Sequence, residues 1–178
     1  MTMSFFRLVG GRCLLVGAAV WLALGPAAER PRAQSTPTVV VAVVVHPSNV
    51  EDRITSAELC DTLLGERRRW LDGRPIEILV PPAGSSEWTV AIRAVCRTSE
   101  AGFKRQVASS RAFGRASRPP QIVETAADMK KRVAASPRAL GFLTVAELDA
   151  TVKALLIDGL PPTDAKYLIQ GPAKPTPR

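Results

Sequence analysis

The stretch "TVVVAVVV", residues 38–45, decides the fold class because it is a continuous run dominated by valine. A strand with one exposed face alternates apolar and polar residues, so an unbroken run predicts a strand that is buried on both faces. Strands of this kind lie in parallel or mixed sheets that are covered by helices. The turn-forming residues "HPSN", 46–49, then end the strand.

Helix and strand signals alternate after this first strand. Thr55 and Glu58 have the spacing of a capping box, and Gly65 is placed to end the resulting helix in the left-handed conformation. A turn then precedes a short predicted strand over residues 76–80.

The segment "PPAGSSEWTVAIRAV", 81–95, combines a small polar turn with the start of an amphipathic helix. The apolar residues of that helix recur at helical spacing on one face, namely Trp88, Ala91, Ile92 and Val95. Thr98 or Ser99 is expected to cap the next helix. The segment 109–120, rich in Ser, Gly, Arg and Pro, is predicted to be a loop.

The remaining signals predict a helix over 125–135, which Thr125 is expected to cap with Asp128 in its first turn. They also predict a strand over 140–144 and a last strand over 152–158. Thr144 and Glu147 form a second capping-box spacing between the two strands. Alternating strands and helices predict an α/β fold with a mixed, mostly parallel sheet of four or five strands flanked by helices.

The composition of the sequence divides the chain into three segments, a signal peptide, one domain and a C-terminal tail. The N-terminal residues have a charged region, the apolar run 13–24 and then small residues, which is typical of a secretory signal peptide. That run is too short to span a bilayer, which takes roughly 20 residues. We predict a signal peptide over 1–28, with cleavage as late as residue 33, and a periplasmic or secreted location. One domain is placed over 34–165 and a proline-rich tail over 166–178. An uncleaved signal segment that anchors the chain to the membrane is the alternative.

The chain is basic, with 24 Lys and Arg residues against 16 Asp and Glu residues and a net charge of +8. The densest cluster is "ERRRW", 66–70, which lacks the interleaved aromatic residues of a nucleic-acid-binding strand. We interpret this cluster as a solvated basic corner, and Arg115 and Arg118 as parts of a solvated loop. No nucleic-acid partner is therefore expected.

Few residues are available for metal binding or catalysis. His46 is the single histidine and is expected in a turn, and no metal-ligand spacing occurs. Ser85 has no nucleophile-elbow context and no histidine follows it in the chain. We expect no metal, no cofactor and no enzymatic activity. Cys60 and Cys96 leave two alternatives, a disulfide or two free buried thiols.

The turn before the amphipathic helix is the candidate ligand-binding site. Gly84, Ser85 and Ser86 place backbone N–H groups and hydroxyls at a helix N-terminus, where the helix dipole favours an anion. Glu87 opposes such binding, because a carboxylate about 4–6 Å from an incoming anion costs a few kcal/mol at an effective dielectric near 20. Helix capping alone and weak or altered anion binding both remain open, and tight phosphate binding is disfavoured.

Four segments, in order, resemble the phosphate ABC transporter substrate-binding proteins. "LLGERRRW", 63–70, is similar to the family phrase I-F-x-G-x-x-x-x-W, and "AGSSEW", 83–88, resembles the family's Gly-Ser-rich loop. "AASPRALGFLT", 134–144, resembles N-P-G-A-I-G-Y-V, and "VKALLIDGLPPT", 152–163, resembles a strand with a d-G-v-x-P-t continuation. The resemblance covers most of 38–165 and implies one lobe of a type 2 periplasmic-binding-protein-like fold.

Two departures from the family pattern change the expected function. The resemblance implies that the N-terminal segment, which contributes to the other lobe of those receptors, has no counterpart in this sequence. The family loop reads R-x-D-G-S-G-T, whereas this chain has Pro81, Ala83, Ser86 and Glu87 at its arginine, aspartate, second-glycine and threonine positions. The resemblance therefore implies an exported, non-enzymatic solute-binding domain with weak or altered binding of an oxyanion such as phosphate. The alternative is an interaction or structural protein that has lost ligand binding and contacts an envelope protein.

Overall fold

The computed structural model describes residues 37–114 and 119–173. The predicted signal peptide, Arg115, Arg118 and residues 174–178 lie outside the described residues. Within the described part of the chain, none of the helices has both the length and the apolar character that crossing a bilayer requires.

The described chain alternates short strands with helices. In chain order the elements are β1 (Thr38–Val45), β2 (Arg53–Ile54), α1 (Ser56–Leu64), β3 (Glu77–Val80), α2 (Ser86–Cys96), α3 (Glu100–Ala112), β4 (Gln121–Ile122), α4 (Ala126–Ala135), β5 (Ala139–Thr144), a 3-10 helix (Val145–Glu147), β6 (Lys153–Ala154), β7 (Leu156–Ile157) and β8 (Gln170–Pro172). The main sheet has the order β4-β3-β5-β1-β6, and β8 also pairs with β1.

The sheet is mixed. β3 pairs in parallel with β4 and β5, whereas β1 pairs antiparallel with β5, β6 and β8. β2 and β7 form a separate parallel pair. The α/β class with a mixed sheet flanked by helices, as the sequence predicts, is confirmed.

Strand β1 is buried on both faces, as its sequence predicts. Val41, Val43 and Val45 belong to the core cluster that includes residues of α1, α2 and α3. Ala42 and Val44 belong to a second cluster, which includes residues of α4. All five side chains are fully buried. Because successive side chains of a strand point to opposite faces, only an unbroken apolar run satisfies both clusters.

The helix caps lie at the predicted residues. Thr55 caps α1 in a capping box with Glu58, and Gly65 ends the helix at φ 79°. The side chains that cap the other α-helices each accept a backbone N–H three residues on, namely Ser85, Ser99 and Thr125. Local sequence signals therefore fix the start of every α-helix in the described residues.

The capping box gives stability that depends on pH. Hydrogen bonds from the backbone N–H and the hydroxyl of Thr55 lower the pKa of Glu58 below its ordinary value of 4.5. A carboxyl with a lowered folded-state pKa stabilises the fold above its unfolded-state pKa, and this contribution is lost as the pH falls through the folded-state pKa. We expect Glu58→Ala to lower the free energy of unfolding by about 0.3–1 kcal/mol at pH near 7, and by less at pH near 3.

Urea unfolding followed by circular dichroism at both pH values measures this difference. Asp61→Ala removes another carboxylate of the same helix and is the matched control. An equal loss of stability for Glu58→Ala at both pH values would contradict the prediction.

Helix α3 is longer than predicted. It continues through residues 109–112, which the sequence assigns to a loop. Ser110 is buried there, and its hydroxyl donates to Oε1 of Glu66 at 3.3 Å. This tertiary contact outweighs the modest helix propensity of serine.

The single strand predicted over 152–158 is instead two short strands. β6 pairs with β1 and β7 pairs with β2, with the fully buried Leu155 between them.

The strand predicted over 152–158 is also not the last one, because β8 follows in the segment interpreted as a tail. Tyr167 and Ile169 of that segment are 1% and 0% exposed. Residues 166–173 therefore contribute Tyr167 and Ile169 to the core.

The alternatives left open for the two cysteines are resolved by a disulfide. Cys60 of α1 and Cys96 of α2 are bonded, with Cα atoms 5.2 Å apart. The bond joins two helices of the same layer, on one side of β1.

The two ends of the described domain lie side by side. Residue Thr38 is paired with Pro172, and the N–H of Ala173 donates to the carbonyl of Pro37 at 2.7 Å. The chain therefore enters and leaves this domain at one edge of the sheet.

Candidate functional site

Three parallel strands end at one edge of the sheet. β3 leads into α2, β4 leads into α4, and β5 leads into the 3-10 helix. In α/β sheets, ligands bind in the crevice outside the carboxyl ends of the strands. The loop between β3 and α2, residues 81–85, therefore lies where the topology places a ligand site.

The three predicted site residues come together in this loop and at the start of α2. Gly84 has φ +81°, and no heavy atom lies within 4 Å of the position that a Cβ would take. The backbone conformation, not lack of space, therefore favours glycine. The hydroxyl oxygen of Ser85 accepts the N–H of Trp88 at 3.2 Å, so this side chain acts as the helix cap. Ser86 is the first residue of α2.

A carboxylate of the chain itself accepts a hydrogen bond from a backbone N–H of the loop. The N–H of Gly84 donates to Oε2 of Glu100 at 3.0 Å. The hydroxyl of Thr89 donates to Oε1 of the same carboxylate at 2.5 Å. Glu100 is half-buried and begins α3. An external oxyanion would have to displace Glu100 in order to reach this amide.

A cavity of about 230 Å³ lies beside the loop. Its apolar lining includes Met129 and Phe142, while its charged lining residues are Glu87, Glu124 and Glu147. Among the described residues that line it, none is a lysine, an arginine or a histidine. Like charges in and around a partly buried site repel an anion by amounts of order kcal/mol. The cavity is therefore unfavourable to phosphate.

The helix dipoles at this edge are already offset. The first turns of α2, α4 and the 3-10 helix carry Glu87, Asp128 and Glu147, respectively. A carboxylate in the first turn interacts favourably with the dipole by about 0.3–1 kcal/mol. The positive ends of these helices are thus matched by acidic side chains of the chain itself.

Two other residues named in the sequence analysis, His46 and Trp88, have structural roles. The Nδ1 atom of His46 accepts the N–H of Ser48 at 3.0 Å, which confirms the turn interpretation. Trp88 is buried and packs edge-to-face on Phe103 and Phe142, with ring centroids 5.5 and 5.9 Å away. Across residues 37–114 and 119–173, no cluster of three or more His, Cys, Asp or Glu side chains could hold a metal ion.

Glu87 was predicted as an opposing charge at the site, whereas Glu100 and Glu147 were not predicted as parts of it. The cap at Ser99 identifies Glu100 as a first-turn residue, but its contact with a loop 16 residues earlier depends on how α2 and α3 pack. Glu147 was predicted in a capping box, and its place in the cavity depends on the order of the strands.

Comparison with known proteins gives matches of fold. No protein-family model matches the chain, and no curated protein matches it. A protein assigned as a phosphate ABC transporter substrate-binding protein from Clostridium perfringens, solved with bound phosphate, matches with a TM-score of 0.62 and 19% identity, over 76% of this chain and 54% of that chain. An ABC-type phosphate transport receptor from Vibrio cholerae matches with a TM-score of 0.62 and 19% identity, over 79% and 59%. PstS from Borrelia burgdorferi matches with a TM-score of 0.61 and 13% identity, over 76% and 55%.

These matches are partial, since the chain spans between 54% and 59% of the length of these three proteins. At identities of 13–19% the likeness concerns the fold alone. The resemblance inferred from four segments of the sequence is confirmed at that level: the described chain has a fold similar to one lobe of the phosphate ABC transporter substrate-binding proteins.

Proposed function

We propose that this chain is an exported, non-enzymatic solute-binding domain that binds oxyanions only weakly at the Gly84 loop. The fold and the binding proteins that share it support solute binding. The signal-like N-terminal sequence supports export to the periplasm or the medium. The observation that carries the proposal is the hydrogen bond from the N–H of Gly84 to Glu100 at 3.0 Å.

Phosphate must compete with Glu100 for this amide. A hydrogen bond to a charged group contributes about 1.5–3 kcal/mol, and each 1.4 kcal/mol is about tenfold in affinity. The loop also has Pro81 where the receptors have an arginine, so a bidentate contact to the anion is lost. We therefore expect millimolar affinity for inorganic phosphate.

Glu100→Gln tests the competition directly. The amide keeps the shape of the side chain and removes its charge, so we expect phosphate affinity to rise about tenfold. Glu87→Thr restores the residue type of the receptors and is expected to raise affinity further by removing a second like charge. Isothermal titration of the purified protein with inorganic phosphate at low salt measures both effects.

Asp61→Asn, an equal change of charge on α1 away from the loop, is the matched control and should leave affinity unchanged. Micromolar affinity in the unsubstituted protein, with amide chemical shift changes at residues 84–87, would show that Glu100 does not block the loop. Absence of heat in every variant at millimolar phosphate would exclude oxyanion binding at the loop. In that case the alternative of an interaction or structural protein with an envelope partner is the remaining proposal.

A further inference from the structure

A second cavity, of about 470 Å³, lies at the amino ends of the parallel strands β3 and β5. The Gly84 loop lies at the opposite, carboxyl ends of these strands. We call the second cavity the arginine cavity. Four arginines and an apolar floor make up most of its lining, namely Arg67, Arg68, Arg69, Arg138, Ile76 and Ile78. From the sequence alone, the cluster at 66–70 is interpreted as a solvated basic corner. The sequence does not show that Arg138, from a distant segment, lies beside this cluster.

Contacts within the fold hold two of these arginines, Arg67 and Arg69, in place. The Nη2 atom of Arg67 pairs with Oε1 of the buried Glu51 at 2.6 Å. The Nη1 atom of Arg69 donates to the carbonyl of Gly73 at 2.7 Å. A guanidinium has five N–H donors in a rigid fork, so one such bond orients the group without using all its donors. The arginine cavity therefore contains two oriented cations.

Arg67 carries a donor that the described residues do not satisfy. Its Nη1 atom is buried and has no hydrogen-bond partner among them. Leaving a buried donor of a charged group without a partner destabilises the folded protein. Buried polar groups are therefore almost always met by protein, water or an ion. Arg67 lines the arginine cavity, which provides room for an acceptor.

The charge of the arginine cavity is opposite to that of the cavity at the Gly84 loop. Among the described residues that line it none is acidic, and Glu51, just outside, pairs with Arg67. Glu66 lies beside the same arginines in the adjoining surface depression and accepts a hydrogen bond from Ser110, so its charge offsets a further part of theirs. An anion repelled by three glutamates at one edge of the sheet is thus attracted by arginines at the other edge.

We propose that the arginine cavity binds a phosphate monoester, with the dianionic phosphate on the guanidinium groups and the apolar substituent on Ile76 and Ile78. Guanidinium forks match phosphate oxygens in bidentate geometry, and a carbon substituent gains from apolar contact. A free phosphate monoester and the headgroup of phosphatidic acid present the same chemistry. This site lies apart from the Gly84 loop, so its occupation does not depend on the function proposed for that loop.

Titration of the full-length protein with phenyl phosphate, followed by amide chemical shifts and calorimetry, tests the proposal. We expect shifts at residues 65–70 and 76, and tighter binding of phenyl phosphate than of inorganic phosphate. Arg138→Gln combined with Arg69→Gln should weaken phenyl phosphate binding about tenfold or more. Arg138→Gln alone is a second variant that preserves the fold, because the contact of Arg138 with Trp70 uses its backbone carbonyl.

Arg132→Gln, an exposed arginine on α4, is the matched control and should leave the affinity unchanged. Glu100→Gln should also leave shifts at the arginine cavity unchanged. The proposal is overturned by absence of shifts at millimolar phenyl phosphate, by shifts confined to residues 84–87, or by an equal loss of affinity in Arg132→Gln.

Co-sedimentation with vesicles distinguishes the two sources of the phosphate group. Binding to phosphatidylcholine vesicles that contain phosphatidic acid, and not to phosphatidylcholine alone, would identify a lipid headgroup if the double variant abolishes it. Phenyl phosphate binding without co-sedimentation would identify a free monoester. Either result supports the site. Vesicle binding that persists in the double variant, without phenyl phosphate binding, overturns it.

Discussion

Tyr167→Ala is expected to lower the free energy of unfolding by about 3–5 kcal/mol, as for other large aromatic residues truncated in a core. Tyr167 is 1% exposed and belongs to the same core cluster as Val41 and Val43. Its burial also raises the pKa of the hydroxyl well above its usual range. Removing the ring leaves a cavity that the strand β1 and its neighbours fill only in part.

The next residue in the chain provides the control. Leu168 is 37% exposed, so Leu168→Ala should change the free energy of unfolding by less than about 1 kcal/mol. Urea unfolding followed by tryptophan fluorescence measures both variants. If Tyr167→Ala costs no more than Leu168→Ala, residues 166–173 are not part of the folded core.

Replacing both Cys60 and Cys96 with alanine is expected to lower the free energy of unfolding by about 4 kcal/mol. The disulfide closes a loop with a sequence separation of 36 residues, and the chain-entropy model for a loop of that length gives about 4 kcal/mol. The oxidised protein, the reduced protein and the double variant can be compared by urea unfolding under otherwise equal conditions.

The reduced protein should unfold at nearly the same urea concentration as the double variant, because both lack the covalent link. A thiol reagent should detect no reactive cysteine at these two positions in the folded, oxidised protein. Equal stability of all three forms, or two reactive thiols in the oxidised sample, would contradict the bond between α1 and α2.

Signals that act over a few residues predict much of this fold. The valine run of β1 predicts burial on both faces, and the capping residues Thr55 and Thr125 predict the helix starts that the structure has. β8 was missed because Gly171 and Pro172 have low strand propensity. Its pairing with β1 joins residues from opposite ends of the domain, which no local pattern reveals.

The candidate site was predicted only in part for the same reason. The sequence locates the Gly84–Ser86 loop at a helix start and identifies Glu87 as an opposing charge. Glu100 reaches the loop through the packing of α3 against α2, and Arg138 reaches the arginine cavity through the parallel pairing of β5 with β3. Both contacts require the tertiary structure to be known.

The hydrogen bond between Pro37 and Ala173 has a consequence for engineering. A domain whose entrance and exit touch can be inserted into a surface loop of a host protein at little entropic cost, since the ends need not be drawn together. The same geometry lets a short linker join the two ends, so that new termini can be opened at an exposed turn. This domain is therefore suited to insertion into other proteins as a single unit.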